Sequence, residues 1–66
     1  MSRQYAEAIE AYKQAVGLKP DYVDAQYGLG LCYLWLGNRE SARDQYNLLR
    51  QLDPDRADEL LKEINK

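Results

Sequence analysis

The 66 residues contain no histidine and no phenylalanine. Without histidine, no histidine metal site, Ser-His-Asp arrangement or Cys-His pair can be assembled within one chain. Cys32 is the single cysteine, so no intramolecular disulfide forms and the redox compartment stays open. Its place between Leu31 and Tyr33 is on a face assigned to the core, where a thiol is inert. Basic tracts are absent: nine Lys and Arg are interspersed with eleven Asp and Glu, for a net charge of −2. Phosphate binding relies on clustered Lys and Arg, so no nucleic acid partner is expected. The longest uncharged apolar stretch, Tyr27 to Leu36, is half of the ~20 residues a bilayer-spanning helix needs, and no membrane role follows. A basic segment followed by an apolar one, the pattern of a signal peptide, is not found, which makes the cytoplasm the default expectation. Gly28 and Gly30 lie inside a helical pattern, not in a phosphate-binding loop after a strand. The acids Asp53, Asp55, Asp58 and Glu59 lack the glycine and terminal glutamate of a calcium-binding loop. No catalytic residue, no cofactor-binding residue and no metal ligand set is expected, and the chain is read as a non-enzyme without a cofactor.

Prolines are scarce, and their placement is informative. Pro20 and Pro54 are the only two, and they stand 34 residues apart. The same interval separates Ala8 from Ala42, Tyr12 from Tyr46, Leu18 from Leu52, Asp21 from Asp55 and Asp24 from Asp58. A fixed period of this length signals stacked supersecondary units, each unable to bury its apolar face alone.

Helix punctuation agrees with the period. A residue before proline is pushed out of the α region, so helices should stop near Lys19 and Asp53. Asp21 and Asp55 then read as N-caps, with Asp24 and Asp58 as early acids that suit the helix dipole. Gly37 reads as a C-terminal stop and Asn38 as the cap of the next helix. The pattern predicts four helices, Gln4–Leu18, Tyr22–Leu36, Arg39–Leu52 and Arg56–Asn65. Their short connections make neighbours antiparallel.

The stretch Ala25 to Pro54 resembles one complete tetratricopeptide repeat. Leu29-Gly30, Tyr33, Gly37, Ala42, Tyr46 and Pro54 carry the resemblance at the family's spacing. Tyr5 to Pro20 is similar to the second helix of a preceding repeat, and the last helix to the solvating helix that closes such arrays. The resemblance implies an all-α, α-solenoid fold of antiparallel hairpins. Residues 1–66 then form a single domain or fragment: residues 4–20 the second helix of an incomplete repeat, 21–54 one full repeat and 55–66 a capping helix. Two positions depart from the family pattern. Gln26 stands where a bulky residue is usual, and Leu49 where a small one is usual, which predicts looser packing between the third and fourth helices.

The second helix has two apolar faces where an ordinary surface helix has one. Ala25, Leu29, Cys32, Tyr33 and Leu36 are assigned to the core. Tyr27, Leu31, Leu34 and Trp35 recur at i, i+4, i+7 and i+8 on the other face. By resemblance, the first helix of each repeat lines the concave surface of the superhelix and contacts peptide ligands. That implies partner-binding roles for Asp24, Tyr27, Leu31, Leu34 and Trp35, with Tyr22 at the rim and Asp58, Leu61, Lys62 and Asn65 continuing the groove. The implied function is a protein–protein interaction module that binds a partner peptide or helix.

Three readings stay open. Apolar residues at helical spacing often pack internally, which would make Tyr27, Leu31, Leu34 and Trp35 core. The stripe of Tyr5, Ile9, Tyr12 and Val16 on the first helix would, in a complete repeat, be partly covered by a preceding helix. Either the chain is an excised piece of a longer array, or this stripe supports a homodimer or higher oligomer. In that alternative the chain is a self-assembling structural repeat with no separate ligand.

Overall fold

The computed structural model describes residues 2–66. It contains four helices, α1 Ser2–Leu18, α2 Val23–Trp35, α3 Arg39–Leu52 and α4 Pro54–Ile64. Helix α2 packs against α1, α3 and α4, and α3 packs against α4. Among the described residues α1 touches neither α3 nor α4. A closed four-helix bundle would bring the first helix against the last. The fold is therefore an open, all-α array of helical hairpins, the solenoid arrangement expected from the sequence.

The helix ends show how the sequence sets this geometry. Gly37 has φ +86°, a left-handed conformation that costs an L side chain energy, and it ends the second helix as expected. The Asn38 side chain accepts a hydrogen bond from the Ser41 N–H at 3.2 Å and caps α3. The other two caps differ from expectation. Asp53, not Asp55, caps α4: its Oδ1 accepts from the Arg56 N–H at 3.2 Å. Proline lacks an N–H and has a preset φ, so Pro54 fits the first helical position and leaves its predecessor to cap. The extended backbone of Asp53 (φ −153°, ψ 93°) ends α3 and starts α4 in one residue. Nor does Asp21 cap α2, whose N-cap is Tyr22 without a side-chain hydrogen bond. The 34-residue counterpart of Asp53 is Lys19, which has no acceptor to offer an amide. Hence α2 starts three residues after Pro20, while α4 starts at Pro54 itself.

The core has two parts. Ala42, Leu49, Ala57, Leu60 and Ile64 form a buried cluster between α3 and α4, over which α2 packs Val23, Tyr27, Leu31, Tyr33 and Leu34. Ile9, Leu29 and Cys32 form a second cluster between α1 and α2, flanked by Ala8, Tyr12 and Tyr33. Leu49 is fully buried at 0% exposure, so the larger residue in the small-residue slot does not loosen the α3–α4 contact. Leu36, assigned to the core from its spacing, is instead exposed, because α2 ends at Trp35 and the chain turns there.

Glycine permits the close α2 contacts. A Cβ on Gly30 would lie 2.6 Å from a Leu60 methyl, and one on Gly28 would lie 2.5 Å from the Tyr12 ring. Both distances are below van der Waals contact. The cost of glycine within a helix, about 1 kcal/mol, is offset by the close approach of α4 and α1.

Gln26 is buried at 5% exposure. Its Nε2 donates to the Pro20 carbonyl at 3.2 Å, while its Oε1 is buried with no partner. A buried acceptor left unpaired costs about 1–3 kcal/mol. Its 34-residue counterpart is Leu60, which is fully buried. Gln26→Leu is expected to raise the free energy of unfolding by about 1 kcal/mol. Exposed Pro20 can turn its freed carbonyl to water. Urea titration followed by helical ellipticity measures this, and a lower midpoint for the variant would show that the Pro20 bond outweighs the orphaned oxygen.

Candidate functional site

Helices α2 and α4 lie side by side and bring together most of the residues assigned to partner binding. Asp24 and Tyr27 are held to α4 by Arg56. The guanidinium lies 3.0 Å from the Asp24 carboxylate and 5.1 Å from the centre of the Tyr27 ring. Both ion-pair partners are solvent-accessible, so the pair itself contributes about 0.2–1 kcal/mol. It links the first turn of α2 to the first turn of α4.

Sequence spacing did not single out Arg56, since its partners lie on another helix. The period does point to it: Arg56 is the 34-residue image of Tyr22, the residue placed at the rim.

Below this clip, Tyr27, Leu31 and Leu34 are half-buried and pack over the α3–α4 cluster. They contribute to the core and still present part of their surface. On α4, Leu61 is half-buried, while Asp58, Lys62 and Asn65 are exposed. Trp35 is separate from this group. It is 55% exposed and packs against Tyr5 of α1, ring centres 5.6 Å apart and planes tilted by 41°. As the last residue of α2 it lies beside the first turns of α1.

The residues assigned to self-association are partly enclosed. Ile9 is buried under Leu29 and Cys32 and offers no surface to a second molecule in this packing. Tyr12 lies against Gly28, Tyr5 against Trp35, and Val16 is half-buried. The stripe expected to be open is therefore partly covered by α2, and Gly28 lets the Tyr12 ring approach that helix closely.

Burial pushes the Cys32 thiol above its ordinary range, since desolvation disfavours the thiolate. This is the environment of an unreactive thiol. Among the described residues, no group of three or more His, Cys, Asp or Glu side chains is placed to hold a metal ion. No helix of the described residues is long and apolar enough to cross a membrane.

A family model described as tetratricopeptide repeat matches residues 1–64. The chain belongs to the tetratricopeptide repeat family. A curated relative, the protein CTR9 homolog of Arabidopsis thaliana, is 34% identical over 59 residues, which is 88% of this chain. The chain spans 5% of that protein's length. No solved structure matches the chain. Tetratricopeptide repeats are non-catalytic scaffolds for protein–protein interaction, and that general role extends to this chain.

Proposed function

We propose that the chain binds a partner peptide or helix in the groove between α2 and α4. Partner apolar side chains are buried against Tyr27, Leu31 and Leu34 on one wall and Leu61 on the other. Asp24, Asp58 and Lys62 at the rim set polarity and orientation. Trp35, packed against Tyr5, extends the apolar surface toward α1.

The observation that supports this most is the Asp24–Arg56–Tyr27 clip. Together with the close Gly30–Leu60 packing, it links the two groove helices before any partner arrives. A preorganised groove loses less ordering entropy on binding.

The reading is tested on peptides selected from a display library of amphipathic sequences against the 66-residue chain. For a selected binder, Tyr27→Ala and Leu61→Ala are each expected to weaken affinity by more than about 1 kcal/mol, with ellipticity preserved. Binders indifferent to both changes would sink the groove. A chain that doubles in mass on dilution-series sedimentation, with both changes restoring the monomer, would favour self-assembly through this face.

A further inference from the structure

Helix α1 is attached to the rest of the molecule along one seam. It packs on α2 and, among the described residues, touches neither α3 nor α4. Among those residues Ile9 is its one buried side chain, set against Leu29 and Cys32. Tyr12 lies on Gly28, and Tyr5 against Trp35. No side-chain hydrogen bond or ion pair among the described residues joins α1 to α2. The bond nearest the seam, from Gln26 to the Pro20 carbonyl, lies in the connection between the helices. The other side of α2 is held more firmly, by the fully buried α3–α4 cluster and by the Asp24–Arg56 pair. Lifting α1 away as a unit therefore breaks no polar contact between helices and leaves the larger cluster intact.

The connection suits such a motion. Residues 19–22 link α1 to α2 and are all exposed. Pro20 keeps Lys19 out of the α region, so α1 and α2 cannot fuse into one helix, while an extended chain is allowed. Tyr22 is already extended (φ −78°, ψ 94°) and begins α2 without a side-chain cap. Four extended residues reach roughly 13 Å, more than the ~8–10 Å between packed helix axes. An opened hinge thus carries α1 clear of its own α2. Leu18 and Tyr22 flank this hinge at 90% and 43% exposure. Two hinges running side by side would give these side chains the apolar cover they lack in a single chain.

We propose that α1 is exchanged between two copies of this chain, each opening at residues 19–22 and seating its α1 on the α2 of the other. The occupant follows from the interface already present. The exchanged helix has the same sequence and meets the same Gly28, Leu29, Cys32 and Trp35. Tyr5, Ile9 and Tyr12 then serve self-association from inside the seam, not from an outer surface. The product is a symmetric dimer in which both chains use the same contacts. The tether holds a chain's own α1 at an effective concentration of about millimolar, so exchange competes once the chain itself reaches that range. This seam is separate from the α2–α4 groove, and the inference stands or falls apart from partner binding there.

Sedimentation equilibrium from the micromolar to the millimolar range is expected to show the 7.7 kDa mass doubling at the upper end. Ile9→Cys places a second thiol in the cluster of Cys32 and reports which chain supplies α1. Oxidised across the same range and run on a non-reducing denaturing gel, this variant should give single chains when dilute. When concentrated it should give disulfide-linked dimers in proportion to the sedimentation dimer. The unchanged chain, with Cys32 alone, should give no linked dimer, and Leu61→Ala should leave the dimer fraction unchanged. Deleting Asp21 and Tyr22 makes the connection too short for α1 to fold back, and that variant should be a helical dimer already at micromolar concentration. A single-chain mass throughout, a dimer whose Ile9→Cys disulfides stay within one chain, or equal linkage of the unchanged chain would overturn the proposal. So would a shortened chain that is monomeric or loses its helices, since α1 would then not be received from another copy.

Discussion

Leu49→Ala is expected to lower the free energy of unfolding by about 2–5 kcal/mol. A domain of 66 residues has roughly 3–10 kcal/mol of stability in all, so this one change removes a large share and can leave the chain largely unfolded at 37 °C. Leu49 is fully enclosed with Leu60 and Ile64, the largest wholly buried side chains of the molecule. It lies where α3 meets both α4 and the overlying face of α2. Neighbouring helices touch along single seams in an open array, so the structure cannot collapse into the cavity from several sides. The loss should therefore fall toward the upper end of the range. Leu48 is the matched control. It is half-exposed one residue earlier on the same helix, and Leu48→Ala should change stability by less than about 0.5 kcal/mol. Urea unfolding read by ellipticity and by Trp35 fluorescence measures both. Equal shifts for Leu48→Ala and Leu49→Ala would mean that the α3–α4 seam is not the main core.

That result bears on what was legible in the sequence. The period of 34 was, because the pairs Pro20–Pro54, Ala8–Ala42 and Tyr12–Tyr46 are local facts that need no tertiary information. It placed α3 to the residue and the other helices to within two residues at each end. What periodicity could not rank was the relative weight of the two departures from the family pattern. Leu49 was read as a source of looseness, yet it is fully buried in the larger cluster, where the small side chains of Ala42 and Ala57 leave the room that a leucine fills. The capping error had a similar root. Proline was taken as a spacer between helices, whereas its geometry suits the first helical turn, which moves the cap back to Asp53.

The candidate site was legible on one helix at a time. Tyr27, Leu31 and Leu34, grouped on one face by their spacing, pack over the α3–α4 cluster, and Asp24, assigned by resemblance, pairs with Arg56 of α4. Trp35 is not part of that group, because it is the last residue of α2, at the end where Tyr5 of α1 receives the ring. Arg56 entered only through the structure, although the repeat marks its position. A helical wheel gives a residue's own face but not the side chain that crosses from the neighbouring helix. In an array, that side chain is found one period away.

The second large effect is expected at Gly30, where α2 packs closely on Leu60 of α4. Gly30→Val gains under about 0.5 kcal/mol in helix propensity and meets the Leu60 methyls, already 2.6 Å from a bare Cβ. Leu60 is at 0% exposure, so it has no solvent side into which to swing. Overpacking of this kind costs about 1–3 kcal/mol, and in this fold it acts on the contact that ties the last helix to the middle of the array. Helix α4 would keep its α3 contact and lose its fit to α2, so its amides should exchange faster than those of α1. Gly17 is the counter-case. It lies in the last turn of α1 with open space around it, and Gly17→Ala should be neutral or stabilising by up to about 1 kcal/mol. A double-mutant cycle separates fit from propensity. Leu60→Ala alone costs about 2–5 kcal/mol, but in the Gly30→Val background the new methyls occupy part of the space it vacates. The two changes should then fall short of additivity by about 0.5–3 kcal/mol. Additive losses would mean that α4 tilts freely away from α2, and a groove between those helices would then have no fixed width with which to select a partner.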